Sequence, residues 1–283
     1  MLTIPTTDGT VWFKACGPGT AHEARLYPSL ARWAAPHVLE PIAVDAERAW
    51  LLLPDGGVRL RDRVAGGPGI EAWQRILPIY AELQRRLETR VPEMLGLGVP
   101  DQHPATMPGY RAALIEDSAV GLAEDDRRRL IDADAEYLTR CKDLAADGIA
   151  PTVQHDDLHA GNVLVDGGLD RIFDWGDAAV AHPFGTMLVT LRSIASRGGH
   201  GTDPTGLERL RDAYLEPWTD RHARPALVRS VDNAVHVATI GRALAWRRAL
   251  SGIPRDELGE DAEAVPGWLL ESLAEDPLDL EAS

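Results

Sequence analysis

The amino-acid sequence predicts an α+β protein with two lobes, a small β-rich N-lobe over residues 1–54 and a mainly α-helical C-lobe over residues 55–283. Strand-like runs dominate up to residue 54, and after the Asp-Gly-Gly at 55–57 the pattern changes to helices separated by glycine and proline. A chain of 283 residues is long enough for two lobes that share a cleft.

The N-lobe is predicted to be a small sheet with one helix. Its elements are expected to be a hairpin over 2–15 around the turn Thr-Thr-Asp-Gly, a helix over 21–35, and strands over 38–44 and 48–54. Alternation along the second hairpin strand places Trp12 and Lys14 on one face, and the helical segment carries Glu23 in its first turn. Leu51 to Pro54 are expected to form the hinge to the C-lobe.

The C-lobe is predicted to be helical with one β interruption. Helices are expected at 71–88, 123–147, 205–217, 225–250 and about 262–274. Between them, Val163–Val165 and Arg171–Phe173 flank an Asp-Gly-Gly turn and are expected to form a short hairpin. The polar residues that suggest chemistry lie at the two ends of this hairpin.

Composition excludes several classes of protein. The net charge of -15 argues against nucleic acid as a partner, because phosphate backbones favour a basic surface, and it is compatible with a cationic substrate. The sequence contains no apolar run long enough to span a bilayer and no secretion signal, so we expect a cytoplasmic protein without a membrane partner. Cys16 and Cys141 are expected to be ordinary thiols, too few for a disulfide framework.

The lysines give a sharper indication. Among the 29 basic residues only Lys14 and Lys142 are lysine, so arginine is used almost everywhere that either residue would serve. Lys14 therefore looks like a position that needs a compact ammonium group, which suits contact with a diphosphate in a narrow cleft.

One constellation of residues points to phosphoryl transfer. Residues 155–162 read His-Asp-Asp-Leu-His-Ala-Gly-Asn, which fits the kinase catalytic-loop pattern H-R-D-L-x-x-x-N at His155, Asp157 and Asn162. Asp-Trp-Gly at 174–176 stands where kinases have Asp-Phe-Gly. Phosphoryl transfer needs one carboxylate at the attacking hydroxyl, and a carboxylate and an amide oxygen to hold Mg²⁺ on the phosphates.

A second interpretation uses some of the same residues. His155, Asp157 and His159 alternate and could share one face of a strand as the metal ligands of a hydrolase. That alternative leaves Asn162 and Asp174 without a role, and the Leu-Ala-Gly residues of the loop are not typical of a strand.

The loop and the residues after it resemble the aminoglycoside phosphotransferase and choline kinase-like family, whose loop has the form HGDLHxGN followed by an Asp-Trp motif. The resemblance implies a bilobal protein kinase-like fold in which Asp157 is the catalytic base. It implies that Asn162 and Asp174 are Mg²⁺ ligands. His155 belongs to the same catalytic loop and is expected to brace its backbone.

The resemblance also implies a nucleotide site. Lys14 would contact the phosphates and pair with Glu23, while the hinge backbone at Leu52, Leu53 and Pro54 would meet the adenine. The expected activity is transfer of the γ-phosphate of ATP or GTP to a hydroxyl of a small polar molecule, such as an aminoglycoside or another amine-bearing compound. His182 and Pro183 match a structural element of the family.

The sequence departs from the family pattern in two places. Asp156 stands where the family usually has glycine, and its charge is expected to raise the pKa of Asp157. Only 13 residues precede Lys14, whereas the resemblance implies a further strand and a glycine-rich loop there, and Gly17 and Gly19 do not have the spacing of such a loop. The N-lobe is therefore expected to be incomplete, and a kinase-like binding module of low activity is the alternative function.

Overall fold

The computed structural model of the chain describes residues 1–7, 9–64, 67, 69–198 and 204–278. Asp8, in the turn of the hairpin predicted at 2–15, lies outside the described residues. The same holds for the last five residues of the C-lobe predicted to end at 283.

Strands and helices alternate in the N-terminal third, and helices dominate the rest. The strands are β1 (Leu2–Thr6), β2 (Gly9–Ala15), β3 (Ala43–Asp45), β4 (Trp50–Pro54), β5 (Val58–Arg59), β6 (Asp101–Gln102), β7 (Thr152–Gln154), β8 (Val163–Asp166), β9 (Leu169–Ile172) and β10 (Ala179–Ala181). The helices are α1 (His22–Trp33), α2 (Leu60–Arg63), α3 (Ile70–Leu87), α4 (Val91–Gly96), α5 (Met107–Glu116), α6 (Glu124–Asp132), α7 (Asp134–Ala146), α8 (Met187–Gly198), α9 (Pro204–Leu215), α10 (Arg224–Ala249) and α11 (Ala264–Glu271). The predicted α+β class is confirmed.

The N-lobe sheet has the strand order β1-β2-β4-β3. β1 and β2 form the predicted antiparallel hairpin, and β2 continues antiparallel to β4 with Lys14 opposite Leu51. α1 turns its apolar side, including Leu26, Tyr27 and Leu30, into the core. This packing brings Lys14 on the sheet and Glu23 on the helix to the same place.

The strand predicted over 38–44 is wrong in most of its length. Only its last two residues belong to β3, while Val38 and Leu39 are buried outside the N-lobe sheet. The preceding residue, His37, meets β9 instead, because its carbonyl accepts the Ile172 N–H at 2.8 Å and its Nδ1 lies 2.8 Å from the Asp170 carbonyl oxygen. This segment therefore joins the two lobes. The alternation of apolar and polar residues, which predicted a strand here, does not reveal that contact.

The C-lobe is built around α10, whose 26 residues place most of their side chains in the core. Two small sheets lie beside the helices, with the strand orders β6-β10-β7 and β5-β8-β9. The predicted hairpin is β8 and β9, joined by Gly167 and Gly168, whose φ angles of 56° and 91° suit a tight turn. None of the described helices combines the length and apolarity that crossing a membrane requires.

The helix predicted over 123–147 is two helices, α6 and α7, which are separated at Ala133. The buried Arg111 explains the break. Its guanidinium donates to the Leu130 carbonyl at the end of α6 at 2.7 Å and to the Asp134 carboxylate at the start of α7 at 3.0 Å. Arg111 belongs to α5, which was not predicted from the sequence, and neither were α2, α4 and α8.

Candidate active site

His155 follows β7 and is completely buried, with an exposed fraction of 0%. Its backbone N–H donates to the Tyr80 hydroxyl at 2.8 Å. Its Nε2 lies 2.9 Å from the Phe173 carbonyl oxygen, and its Nδ1 accepts the Asp157 N–H at 3.3 Å. Burial also lowers the pKa of the ring, which favours the neutral form. His155 thus ties the catalytic loop to the segment that ends at Phe173, and both ring nitrogens are engaged in doing so.

Asp157 and Asn162 are brought together by the same loop. The Asn162 side-chain amide donates to the Asp157 carbonyl at 2.9 Å and to its Oδ2 at 3.1 Å. The Asn162 carbonyl in turn accepts the Phe173 N–H at 3.1 Å. Because the amide nitrogen faces Asp157, the amide oxygen on the other branch is directed away from it. The Asp157 side chain keeps 30% of its surface exposed, so one polar edge of the loop faces solvent.

The expectation that Asp156 raises the pKa of Asp157 is wrong. Burial would raise this pKa, but the hydrogen bond with His159 and the charge of Arg242 outweigh it and hold the pKa below its usual value. Arg242 belongs to α10, and its Nη2 lies 3.6 Å from Asp157 Oδ1. The aspartate with the raised pKa is Asp156, because burial raises its pKa to about 7.

Lys14 joins the two lobes across the cleft. Its Nζ lies 2.5 Å from Glu23 Oε2 and 2.5 Å from Asp174 Oδ1. The other oxygen of Glu23 accepts the Trp175 N–H at 3.0 Å. Burial would lower the pKa of Lys14, but the two carboxylates reverse the effect and raise it, so the ammonium stays charged. Lys142, the other lysine, is exposed on α7.

A cavity of about 360 Å³ opens beside this group of residues. Its apolar lining includes Trp12, Leu39, Leu53, Leu164 and Phe173. Arg59 also lines the cavity, with its guanidinium 5.9 Å from the Trp12 ring and 5.6 Å from the Phe173 ring. Trp12 lies two residues before Lys14 on the same strand, and Phe173 directly precedes Asp174. The cavity lining thus includes close neighbours in the chain of both Lys14 and Asp174.

The hinge residues do not all reach this cavity. Leu53 and Pro54 line it. Leu52 is the exception, because its residue is not part of the lining and its carbonyl accepts the Ile42 N–H at 2.8 Å within the sheet. Of the three residues expected to meet the adenine, Leu53 and Pro54 thus line the cavity and Leu52 does not.

Asn162 and Asp174 offer the donor atoms that Mg²⁺ prefers. An amide oxygen and a carboxylate are hard ligands, and Mg²⁺ is usually held by one or two carboxylates together with substrate phosphates rather than by an all-protein cage. The Asp174 side chain is 39% exposed towards the cleft, and its backbone is left-handed with φ of 66°. Within the described residues, no group of three or more histidine, cysteine, aspartate or glutamate side chains could hold a metal. The hydrolase site at His155, Asp157 and His159 is thus not formed.

The fold also places the two glycines that precede α1, His182 and the two cysteines. Gly17 and Gly19 lead into α1, and the tight approach of Gly19 to the Arg248 carbonyl on α10 leaves no room for a side chain. His182 lies 3.1 Å from Asp147 and accepts the Phe184 N–H. Both cysteines are free, Cys141 buried and Cys16 partly so.

The sequence matches one family of proteins over most of its length. A sequence model described as the phosphotransferase enzyme family matches residues 6–227. The chain belongs to this family. No functionally curated protein matched the sequence.

Solved structures of small-molecule phosphotransferases share the fold of this family member. A choline/ethanolamine kinase family protein from Mesorhizobium loti has a TM-score of 0.62 at 18% identity, covering 96% of this chain and 86% of that one. An amicoumacin kinase in complex with AMP-PNP, Ca²⁺ and its substrate has a TM-score of 0.59 at 11% identity, with coverages of 99% and 87%. The GDP complex of aminoglycoside 2'-phosphotransferase-IIIa has a TM-score of 0.56 at 18% identity, with coverages of 89% and 82%. The chain therefore has the protein kinase-like fold.

Some residues of the candidate site were not predicted from the sequence. Arg242 was not singled out, although it contacts Asp157. Leu164 and Phe173 were assigned to the hairpin without a role in the cavity. A signal existed for Trp12, because alternation placed it on the face of Lys14. No comparable signal marks Arg242, which is one of 27 arginines and lies far along the chain.

Proposed function

We propose that this protein transfers the γ-phosphoryl group of ATP or GTP to a hydroxyl group of a small polar molecule. The observation that carries the proposal is the convergence of Lys14, Asp157, Asn162 and Asp174 on one cleft beside a cavity of about 360 Å³. These are the charges and ligands that phosphoryl transfer requires, and neighbours of Lys14 and Asp174 in the chain line a cavity with an apolar wall that suits a purine.

Asp157 would act on the acceptor. Its carboxylate is partly exposed and its pKa is held below the usual value, so it is ionised and ready to receive a hydrogen bond from the attacking hydroxyl. A carboxylate with a low pKa is a weak base. This suits a loose transition state, in which the hydroxyl needs orientation more than early removal of its proton.

The remaining residues would bind the nucleotide. The purine would stack on Trp12 and contact Leu164, with the backbone of Leu53 and Pro54 at its edge. Lys14 would contact the phosphates as a point charge. Asn162 and Asp174 would hold Mg²⁺, which neutralises the phosphate charge when bound.

The acceptor is the less defined partner. Related folds belong to proteins named for choline, ethanolamine, amicoumacin and aminoglycosides, and the net charge of -15 is compatible with such amine-bearing compounds. A cytoplasmic location would give access to ATP, GTP and Mg²⁺.

A panel assay tests the proposal. The protein is incubated with Mg·ATP or Mg·GTP and with choline, ethanolamine, amino alcohols, sugars or aminoglycosides, and phosphorylated product is detected by mass spectrometry. We expect product with at least one acceptor, and a fall in kcat of about 10²–10⁴-fold in Asp157→Asn with nucleotide affinity retained. Asp125→Asn, an exposed aspartate on α6, is the matched control.

Two outcomes would contradict the proposal. Equal product formation by the wild-type protein and Asp157→Asn would remove Asp157 from the mechanism. Nucleotide binding without transfer to any acceptor or to water would instead support the kinase-like binding module.

A further inference from the structure

One arginine lines the cavity without a carboxylate beside it. Arg59 is half-buried, and its guanidinium carbon lies 5.9 Å from the centre of the Trp12 ring and 5.6 Å from the centre of the Phe173 ring. Both distances are close to the limit of about 6 Å for a cation–π contact, so neither ring holds the guanidinium closely. Among the residues that the structure describes, none forms an ion pair with Arg59 or accepts a hydrogen bond from its side chain. The N–H donors of this guanidinium are thus available to a ligand.

The two carboxylates that line the same cavity have other partners. Asp55 Oδ1 accepts the Gly57 N–H at 3.1 Å, and Asp62 Oδ1 lies 3.6 Å from Arg61 Nε. A charged group that is partly withdrawn from water is stabilised by a charge of opposite sign. Because neither carboxylate pairs with Arg59, we expect that charge to come from an anionic ligand.

Arg59 also lies where the phosphates of a bound nucleotide would pass. One of the two rings beside it, Trp12, precedes Lys14 by two residues on β2. The other ring, Phe173, directly precedes Asp174. A nucleotide whose purine stacks on Trp12 and whose phosphates reach Lys14 would therefore extend past the Arg59 guanidinium.

The charges around Lys14 favour the presence of a second cation. The Lys14 ammonium lies 2.5 Å from the Glu23 carboxylate and 2.5 Å from the Asp174 carboxylate. A nucleoside triphosphate carries several negative charges, and phosphoryl transfer depends on their neutralisation. An ammonium that already faces two carboxylates neutralises those charges only in part. Arg59 supplies a positive charge in the same cavity that no carboxylate of the described residues compensates.

We propose that Arg59 is a nucleotide-binding residue whose guanidinium donates hydrogen bonds to phosphate oxygens, as a second cation beside Lys14. The planar guanidinium presents paired donors that match the oxygens of a phosphate group. The inference rests on the proposed function, because it requires a nucleotide in this cavity. An arginine that only packed against the two rings would contribute to stability, and it would not distinguish a nucleoside from its phosphates.

The first test compares a nucleoside with its phosphates. The Kd values of adenosine, AMP, ADP and ATP, and of the guanosine series, are measured by calorimetric titration in the presence of Mg²⁺ for the wild-type protein and Arg59→Gln. We expect the Kd of the di- and triphosphates to rise by about tenfold to a hundredfold, because charge-assisted hydrogen bonds are lost. The Kd of the nucleoside should change little. Arg63→Gln, at an exposed arginine of α2 outside the cavity lining, is the matched control.

Two further variants separate charge from packing. Arg59→Lys keeps the positive charge and loses the planar fork, so its Kd for the triphosphate should lie between those of the wild-type protein and Arg59→Gln. Trp12→Ala should weaken binding of the nucleoside and of the triphosphate alike, because the ring acts on the purine. Melting temperatures show whether each variant is folded. If Arg59→Gln does not fold, Arg59→Lys is compared with the wild-type protein in the same series, and its loss should again be confined to the phosphorylated ligands.

The outcomes distinguish the inference from the proposed function. Equal losses for nucleoside and triphosphate in Arg59→Gln, or no loss for either, would overturn the inference and leave the proposed function intact. A Kd for the triphosphate as high in Arg59→Lys as in Arg59→Gln would also overturn it, since the charge would then have no effect. Nucleotide binding without transfer to any acceptor would count against the proposed function alone, because the titrations still decide the role of Arg59. A wild-type protein that binds no nucleotide would contradict both.

Discussion

Two walls face each other across the cleft, one from the N-lobe sheet and one from the catalytic loop of the C-lobe. In the C-lobe wall, His155 and Asn162 are buried and bonded to backbone on both sides. In the N-lobe wall, β2 is half-buried and its neighbour β1 is exposed along its whole length. The C-lobe wall thus holds its polar groups in fixed positions, whereas the N-lobe wall supplies the Trp12 ring and the Lys14 ammonium.

This contrast predicts different consequences for substitutions on the two walls. A change in the C-lobe wall should lower the rate of transfer, because the groups that act on the reacting atoms are held there. A change in the N-lobe wall should weaken nucleotide binding and leave the rate at saturation almost intact.

The largest effect is expected for Asp174→Asn on the C-lobe wall. Asparagine tolerates the left-handed backbone of this position, so the melting temperature should change little. Loss of the charged ligand should lower Mg²⁺-dependent turnover by at least about 10²-fold. Turnover measured against Mg²⁺ concentration checks this, with Asp166→Asn at the end of β8 as the control. An unchanged rate at every Mg²⁺ concentration would show that Asp174 holds no metal.

A smaller effect of a different kind is expected for Trp12→Ala on the N-lobe wall. Loss of a ring that stacks on a base costs about 1–3 kcal/mol, so the Kd for nucleotide should rise by roughly fivefold to 150-fold while kcat at saturation stays the same. Calorimetric titration with nucleotide measures the first quantity. Trp50→Ala, an exposed tryptophan of β4 outside the cavity, should leave the Kd unaffected. A fall in kcat without a change in Kd would contradict the predicted difference between substitutions on the two walls.

A third effect, on stability rather than on rate or affinity, is expected for His22, the first residue of α1. Burial, assisted by the charges of Arg248 and Arg25, lowers the pKa of this histidine to about 4. Between the ordinary value near 6.5 and about 4 the unfolded chain binds a proton that the folded chain does not, so stability falls as pH falls through this window.

The His22→Gln variant tests this contribution, which is on the order of 3 kcal/mol at most. The difference in unfolding free energy between wild type and His22→Gln, measured by denaturant titration at several pH values, should change between pH 6.5 and 4 and be flat above. His222→Gln, at a partly exposed histidine, is the control. A difference that does not vary with pH would mean that His22 is protonated equally in both states.

The sequence predicted the candidate site best where its residues lie close together along the chain. The catalytic loop and the hairpin are encoded in about twenty consecutive residues, so spacing alone predicts that Asp157, Asn162 and Asp174 meet. The pairing of Lys14 with Glu23 came from the family resemblance, and the fold brings the two together at 2.5 Å.

The parts that could not be predicted depend on tertiary approach. Arg242 reaches Asp157 only because α10 crosses behind the catalytic loop, and the pKa of Asp157 was misjudged because this charge was not known. The break between α6 and α7 depends on Arg111 from another helix. Periodicity reports which face of an element is apolar, and it carries no information about a distant side chain that caps or neutralises a group.

The Glu23 carboxylate contacts both lobes. One oxygen pairs with the Lys14 ammonium, and the other accepts the backbone N–H of Trp175. Outward movement of α1 would break both contacts together and leave a buried charge without a partner, at a cost of several kcal/mol. An arrangement of this kind favours a cleft that stays assembled over one that opens by displacement of the helix.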